Sequence, residues 1–171
     1  LVIKNKKHPV SCIIGGSKVT TKIGAISNLL KITDNIIIVG AMANNFLAYE
    51  KNEIGKSLRE KNSESVVRKI LEEAEKNKCK IIIPDDCQVS KKFEGEAILK
   101  NIKSIEKDDI ILDIGPKTIK TIEEIIDRSN TVMWNGPAGY FENKNFALGT
   151  NAIAQRISEN TKKGFLVSVL G

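Results

Sequence analysis

Short runs of β-branched and aliphatic residues recur along the chain with room for about one helix between most of them: Val10 to Ile14 (VSCII), Ile36 to Val39 (IIIV), Cys79 to Ile83 (CKIII), Thr131 to Trp134 (TVMW) and Phe165 to Leu170 (FLVSVL). None alternates polar with apolar, so each predicts a strand covered on both faces, as in a parallel sheet. The stretches between them follow a helical period. Val66, Val67, Ile70, Leu71 and Ala74 share one helical face, as do Ile119, Ile122, Ile125 and Ile126, and further on Ile153 and Ile157. Strand and helix in alternation predict an α/β fold: a doubly wound, mainly parallel, Rossmann-like sheet with helices on both faces and ligands at the carboxyl ends of its strands.

The segment from Asp85 to Asp109 fits this scheme least. Pro84 closes a strand, and the charge-rich run that follows has weak periodicity, so it reads as an excursion with room for an extra hairpin. No internal repeat, low-complexity tract or Pro/Gly-rich linker divides the chain. With 171 residues, 41% of them hydrophobic, one domain over residues 1–171 with a single core is the expectation.

Composition excludes several classes. No apolar run approaches the roughly 18 residues that span a bilayer, and the N-terminus LVIKNKKHPV lacks the layout of a signal peptide, so a cytoplasmic protein with no membrane partner is expected. Cys12, Cys79 and Cys87 have no C-x-x-C spacing and predict reduced thiols rather than a disulfide framework or zinc site. The net charge of +6 rests on scattered lysines, without the aromatic strand or Cys/His finger of a nucleic-acid module. A solvated basic surface is therefore expected, without a nucleic-acid partner. His8 is the only histidine, stands in a basic segment, and reads as an ordinary surface residue.

Two segments hold residues suited to chemistry. In IIGGSKVTTK an apolar strand runs into Gly15 and Gly16, then Lys18, with a helix beginning near Val19. Backbone N–H groups and an ammonium thus meet at a strand's carboxyl end, a place to hold phosphate, and Lys22 falls one turn after Lys18. This is neither the Walker A pattern nor the dinucleotide fingerprint, and a tight turn followed by exposed lysines fits the same residues. In MWNGPAGYFE a strand ends at Trp134, and Asn135, Gly136, Pro137 and Gly139 make a compact turn before Glu142. Small residues there admit a flat ligand, and a carboxylate suits a pair of ribose hydroxyls. A structural turn with a buried Trp and a solvated Glu is the alternative.

Taken in order, GGSKVTTKI, AMANNFL, EIGKSL, DIGP, NGPAGYFE and FALGT resemble the C-terminal, nucleotide-binding domain of phosphoglycerate kinase, from about Pro9 to Gly171. The resemblance implies reversible phosphoryl transfer from 1,3-bisphosphoglycerate to Mg-ADP, giving 3-phosphoglycerate and ATP in glycolysis. It implies Lys18 as the catalytic residue that follows the transferring phosphoryl. Lys22 would contact the nucleotide phosphates, with Gly15 and Gly16 forming the adjoining loop. Gly40, Leu58 and Leu112 would line the adenine slot, Asn135, Pro137, Gly139 and Tyr140 would pack along the nucleotide, and Glu142 would bind the ribose. Phosphoryl transfer asks for fixed positive charge and in-line placement rather than proton shuttling, which explains lysines in place of histidines.

The chain departs from the family pattern in two places near the adenine slot. Val39, Gly40 and Ala41 stand where many members have three glycines, and Ile111 stands where many have one. Either the pocket is reshaped or these side chains turn into the sheet. Leu1 in place of an initiator methionine, and Gly171 where members continue as GGGDT, make an excised piece the expectation. Gly171 then begins a phosphate loop, and the Asp that serves Mg2+ follows it, so no resident metal ligand is expected here. The triose phosphates would reach this chain only through an N-terminal domain, so a monomer that binds ADP or ATP weakly, without catalysis, is the expectation. Two other readings are a nonenzymatic nucleotide-binding module and a basic nucleic-acid-binding domain, but neither explains the order of the motifs.

Overall fold

The computed structural model describes residues 7–171. The readings of the chain start at Leu1 and of the signal-peptide layout fall largely outside them. In chain order the elements are β1 (Val10–Ile14), α1 (Val19–Leu30), β2 (Asn35–Ile38), α2 (Gly40–Tyr49), α3 (Glu64–Lys76), β3 (Lys80–Ile82), β4 (Asp86–Ser90), β5 (Ile98–Asn101), β6 (Ile110–Ile114), α4 (Pro116–Arg128), β7 (Thr131–Asn135), α5 (Leu148–Lys162) and β8 (Val167–Leu170).

Five parallel strands form the main sheet in the order β3-β2-β1-β7-β8. Alternation along each strand divides the core between two faces. Cys12 and Ile14 of β1, with Ile36 and Ile38 of β2, point to the face covered by α1, α2 and α3, where Ile26, Phe46, Val67 and Ile70 are buried. Ile13 and Ile37 point to the other face, under α4 and α5, among Ile119, Ile122, Ile126, Ile153 and Ile157. The strands' continuous apolar runs follow from this two-sided burial. α3 and α4 owe their period to one covered stripe each: Val67, Ile70 and Ala74 in α3, and Ile119, Ile122 and Ile126 in α4.

The excursion after Pro84 is a second, three-stranded antiparallel sheet in the order β5-β4-β6, with a bulge between Gln88 and Val89. Its inner face buries Cys87 and Val89 against Leu47, Ile54, Ile102 and Ile105. Asp86 of β4 ties it to the main sheet by capping α4, accepting from the backbone N–H of Lys117 at 2.9 Å and of Thr118 at 2.8 Å. The expected hairpin is β4-β5; β6, which follows it and returns the chain to the main sheet, lies beyond the expected excursion.

Two expectations change, and the reading of the cysteines as free thiols holds. β8 is an edge strand with Val167, Val169 and Leu170 exposed, and with Phe165 before it leaves an apolar strip on the surface, so it is not covered on both faces. His8 has a partner, its Nδ1 lying 2.7 Å from Oδ2 of Asp34, although both side chains are exposed to solvent. Cys12, Cys79 and Cys87 are free and buried, and burial pushes the Cys12 and Cys87 thiols up to about 12, leaving them protonated and unreactive at neutral pH.

Ile122 is fully buried where α4 meets the sheet. Ile122→Ala removes three carbons from a packed site and is expected to lower stability by about 2–5 kcal/mol, read as a reduced urea midpoint with an unchanged denaturant slope.

Candidate functional site

The order of strands fixes where a ligand can bind. The chain runs outward from β1 through β2 to β3, then resumes on the other side of β1 with β7 and β8. The direction of winding therefore reverses between β1 and β7, and in such sheets a crevice opens beyond the carboxyl ends at that point. Ile14 pairs with Asn135 of β7 and with Ile38 of β2. Gly15, Gly136 and Gly40 consequently leave three adjacent strands side by side.

The loops interlock through backbone. Gly15 N–H donates to the Asn135 carbonyl at 2.8 Å, Gly40 N–H to the Ala138 carbonyl at 3.1 Å, and Met42 N–H to the Gly16 carbonyl at 2.7 Å. A Cβ on Gly15 would lie 2.1 Å from the Pro137 carbonyl oxygen, closer than any side chain tolerates. Gly40 combines a φ of +64° with the same neighbour at 2.9 Å, so it needs both glycine's freedom and its lack of bulk.

Beside this knot lies a cavity of about 310 Å³, of ligand-binding size. Gly16, Gly40, Leu58, Leu112, Pro137, Gly139, Tyr140 and Glu142 line it, uniting most of the residues singled out in the sequence. Leu58 is 60% exposed and forms part of one wall. Tyr140 is held to β6 by its N–H on the Leu112 carbonyl at 2.7 Å and meets Phe93 edge to face at 5.7 Å.

The remaining candidates stand outside the lining. Lys22 Nζ donates to the Gly15 carbonyl and to Asn135 Oδ1, each at 2.9 Å, and is held next to Gly16. Gly171 N–H donates to the Trp134 carbonyl at 2.9 Å, continuing the same edge. Lys18 is exposed at the N-cap of α1, and its neighbour Ser17 lines the cavity. One part of the phosphate reading changes: the first amides of α1 already have an acceptor. Val19 N–H at 2.5 Å and Thr20 N–H at 3.0 Å both donate to Oε2 of Glu60.

The two unusual adenine-region positions separate. Val39 is fully buried in the core under α4 and α5, whereas Ile111 and Ala41 line the cavity and add bulk there. Trp134 is half-buried and donates through Nε1 to the Gly136 carbonyl at 2.7 Å, while Glu142 is exposed at the rim.

Sequence reasoning missed the cavity's far wall, which includes Asn44, Leu47, Cys87, Phe93, Ile102, Ile110 and Asp113. Asp113 had a visible signal, a carboxylate inside the apolar run IILDI. It is buried and accepts from Ile114 N–H at 2.8 Å and Gly149 N–H at 2.9 Å. Burial outweighs those hydrogen bonds and raises its carboxyl to about 6. Among the described residues, Glu106, Asp108 and Asp109 form a cluster close enough for a cation, but each is already paired with Lys91, and Lys100 pairs with Glu106 and Asp109 as well. None of the three lines the cavity.

Known proteins with this sequence and fold agree with one another. The sequence profile described as "Phosphoglycerate kinase" matches residues 1–171. A phosphoglycerate kinase from Wolbachia pipientis wMel is 42% identical over 167 residues, covering 97% of this chain and 42% of that protein. One from Mesorhizobium japonicum is 44% identical over 169 residues, covering 98% of this chain and again 42% of the relative. The solved phosphoglycerate kinase of Coxiella burnetii superposes with a TM-score of 0.94 at 34% identity, over 99% of this chain and 43% of the other. The chain thus spans about 42% of the length of the curated relatives it matches. On sequence and fold together, it belongs to the phosphoglycerate kinase family.

Proposed function

We propose that residues 1–171 supply the nucleotide-binding domain of an enzyme that transfers a phosphoryl group reversibly between 1,3-bisphosphoglycerate and Mg-ADP, forming 3-phosphoglycerate and ATP. The observation that carries this reading is the apolar cavity at the winding reversal, with a glycine loop and Lys22 at one end and Glu142 at its rim. Adenine enters between Gly40, Leu58 and Leu112, where burial of a flat ring favours binding without a dense set of polar contacts. Asn135, Pro137, Gly139 and Tyr140 pack along the nucleotide, and Glu142 accepts from the ribose hydroxyls. The phosphates run toward Gly15, Gly16, Lys22 and Gly171. Lys22 is held by neutral oxygens and keeps its charge uncompensated for an anion.

Lys18 is the residue we assign to the phosphoryl group in flight. It is exposed, and what it contributes is fixed positive charge where oxygen charge shifts. Mg2+ belongs to the substrate in this reading. Of the cavity's lining carboxylates, Asp113 has both oxygens engaged by backbone N–H groups and Glu142 stands alone at the rim, so neither is assigned to the magnesium. The triose phosphates are assigned to the rest of the relatives' length, with closure of the two parts excluding water before transfer. The 171 residues alone are then expected to bind nucleotide and not to turn over. A monomer in the cytoplasm is the family-based expectation; no helix of the described residues is long and apolar enough to cross a membrane.

Calorimetric titration with Mg-ADP tests the assignment. Lys22→Ala is expected to weaken binding by about ten- to a hundredfold, the range for loss of a charged hydrogen bond, and Glu142→Ala by about fivefold or more. Unchanged affinity in both would remove these residues from the site even with the fold correct.

Asp113 adds a pH dependence. Its carboxyl is raised in the folded chain from 3.8 to about 6, so the native state holds the proton more tightly than the unfolded chain. Its stabilising contribution is complete below 3.8 and is lost as pH rises through about 6. Chemical denaturation at pH 4 and pH 7 is expected to shift the stability difference between wild type and Asp113→Asn by about 2 kcal/mol toward the variant. A difference independent of pH would contradict the raised carboxyl.

A further inference from the structure

α1 opens without a cap of its own. The residue at its N-cap is Lys18, whose ammonium cannot accept a hydrogen bond, and the helix has no acidic residue in its first turn. The acceptor comes instead from Glu60, 41 residues along the chain from Val19. Its Oε2 takes the Val19 and Thr20 amides, and its Oε1 takes the Thr20 hydroxyl at 2.5 Å. Glu60 is itself fixed. Its backbone N–H donates to Oδ1 of Asn45 at 2.9 Å, and the same oxygen accepts from the buried Ser63 hydroxyl at 2.9 Å. The neighbouring Asn44 donates through Nδ2 to the carbonyl of Leu58 at 2.9 Å. Two consecutive asparagines of α2 thus hold a short segment that covers one wall of the cavity with Leu58 and caps α1 with Glu60.

We propose that Glu60 is a positioning residue for phosphate recognition: by fixing the first turn of α1 it sets the place of Lys18, and through Leu58 it links the base slot to the phosphate end. The inference rests on the nucleotide reading above and adds a residue to it. Partial burial alone would raise the Glu60 carboxyl, yet the Thr20 and Val19 hydrogen bonds and the nearby Lys18 hold it below the usual glutamate range. The cap is accordingly ionised throughout neutral pH. The carboxylate also occupies amides that would otherwise attract phosphate, so the anion is left to Lys18, Lys22 and the glycine loop.

Two ligands separate this role from a purely structural one. Adenosine reports on base and ribose alone, and the ratio of its dissociation constant to that of ADP reports what the phosphates add. NMR titrations of the chain are expected to show that Glu60→Ala lowers this ratio about tenfold, as for loss of a strong helix cap, with adenosine affinity within about twofold. Glu60→Gln keeps an acceptor at the same reach and is expected to restore most of the ratio. Hydrogen exchange of the Val19 and Thr20 amides is expected to be about tenfold faster in Glu60→Ala. A ratio that stays constant or rises in Glu60→Ala overturns the proposal, the latter because the carboxylate would then only compete with phosphate. If Glu60→Ala does not fold, Thr20→Val, which deletes only the hydroxyl contact, is expected to lower the ratio about threefold, and no fall overturns the proposal. Should the wild type bind neither ligand, the nucleotide reading fails, while unaccelerated exchange at Val19 and Thr20 would reject the placement of Glu60 independently.

Discussion

The site depends on how closely three pieces of backbone approach one another beyond β1, β2 and β7. Gly15 lies against the Pro137 carbonyl at a distance that leaves no room for a side chain, and Gly40 meets the same oxygen from the other side. The contact is possible because the strands are adjacent and in register, Ile14 matching both Ile38 and Asn135. It fixes the Gly15 carbonyl that accepts from Lys22, and it seats Ala138 where it receives the Gly40 amide. The position of a cation thus follows from parallel strand pairing.

Charge at this edge is managed by residues remote in sequence. α1 and α4 both begin beyond strands that feed the site, and neither is capped by its own N-cap residue. Glu60 caps the first and Asp86 the second. Each cap ties an inserted segment to the main sheet, the α2–α3 connection in one case and the antiparallel layer in the other. Helix termini that would otherwise need solvent are satisfied internally, leaving Lys18 and Lys22 as cations at this edge.

Most of the architecture was legible because burial on both faces writes continuous apolar runs. VSCII, IIIV and TVMW correspond to β1, β2 and β7 within a residue at either end, and the isoleucines of α4 mark its covered stripe. The glycine motifs were legible for a related reason, since close backbone approach permits few other residues. The antiparallel layer was legible only as an excursion with room for a hairpin: β5 is almost wholly exposed and β4, though buried, is polar in sequence, so neither writes an apolar run. Glu60 left no local sign either, because a cap contributed from 41 residues away has no spacing rule. Asp113 could have been found, being a charge in an apolar strand, although its partner amide at Gly149 is set by tertiary packing. The apolar strip on β8 was hidden by composition, because an exposed edge strand and a covered one read alike.

Amide chemical-shift mapping of the chain with Mg-ADP tests most directly whether the cavity at the winding reversal takes a nucleotide. The largest changes should fall on Gly16, Gly40, Leu58, Leu112 and Tyr140, with the amides of the Lys91 and Lys100 cluster unmoved. Changes confined to that cluster, or scattered over surface lysines and abolished by salt, would contradict it.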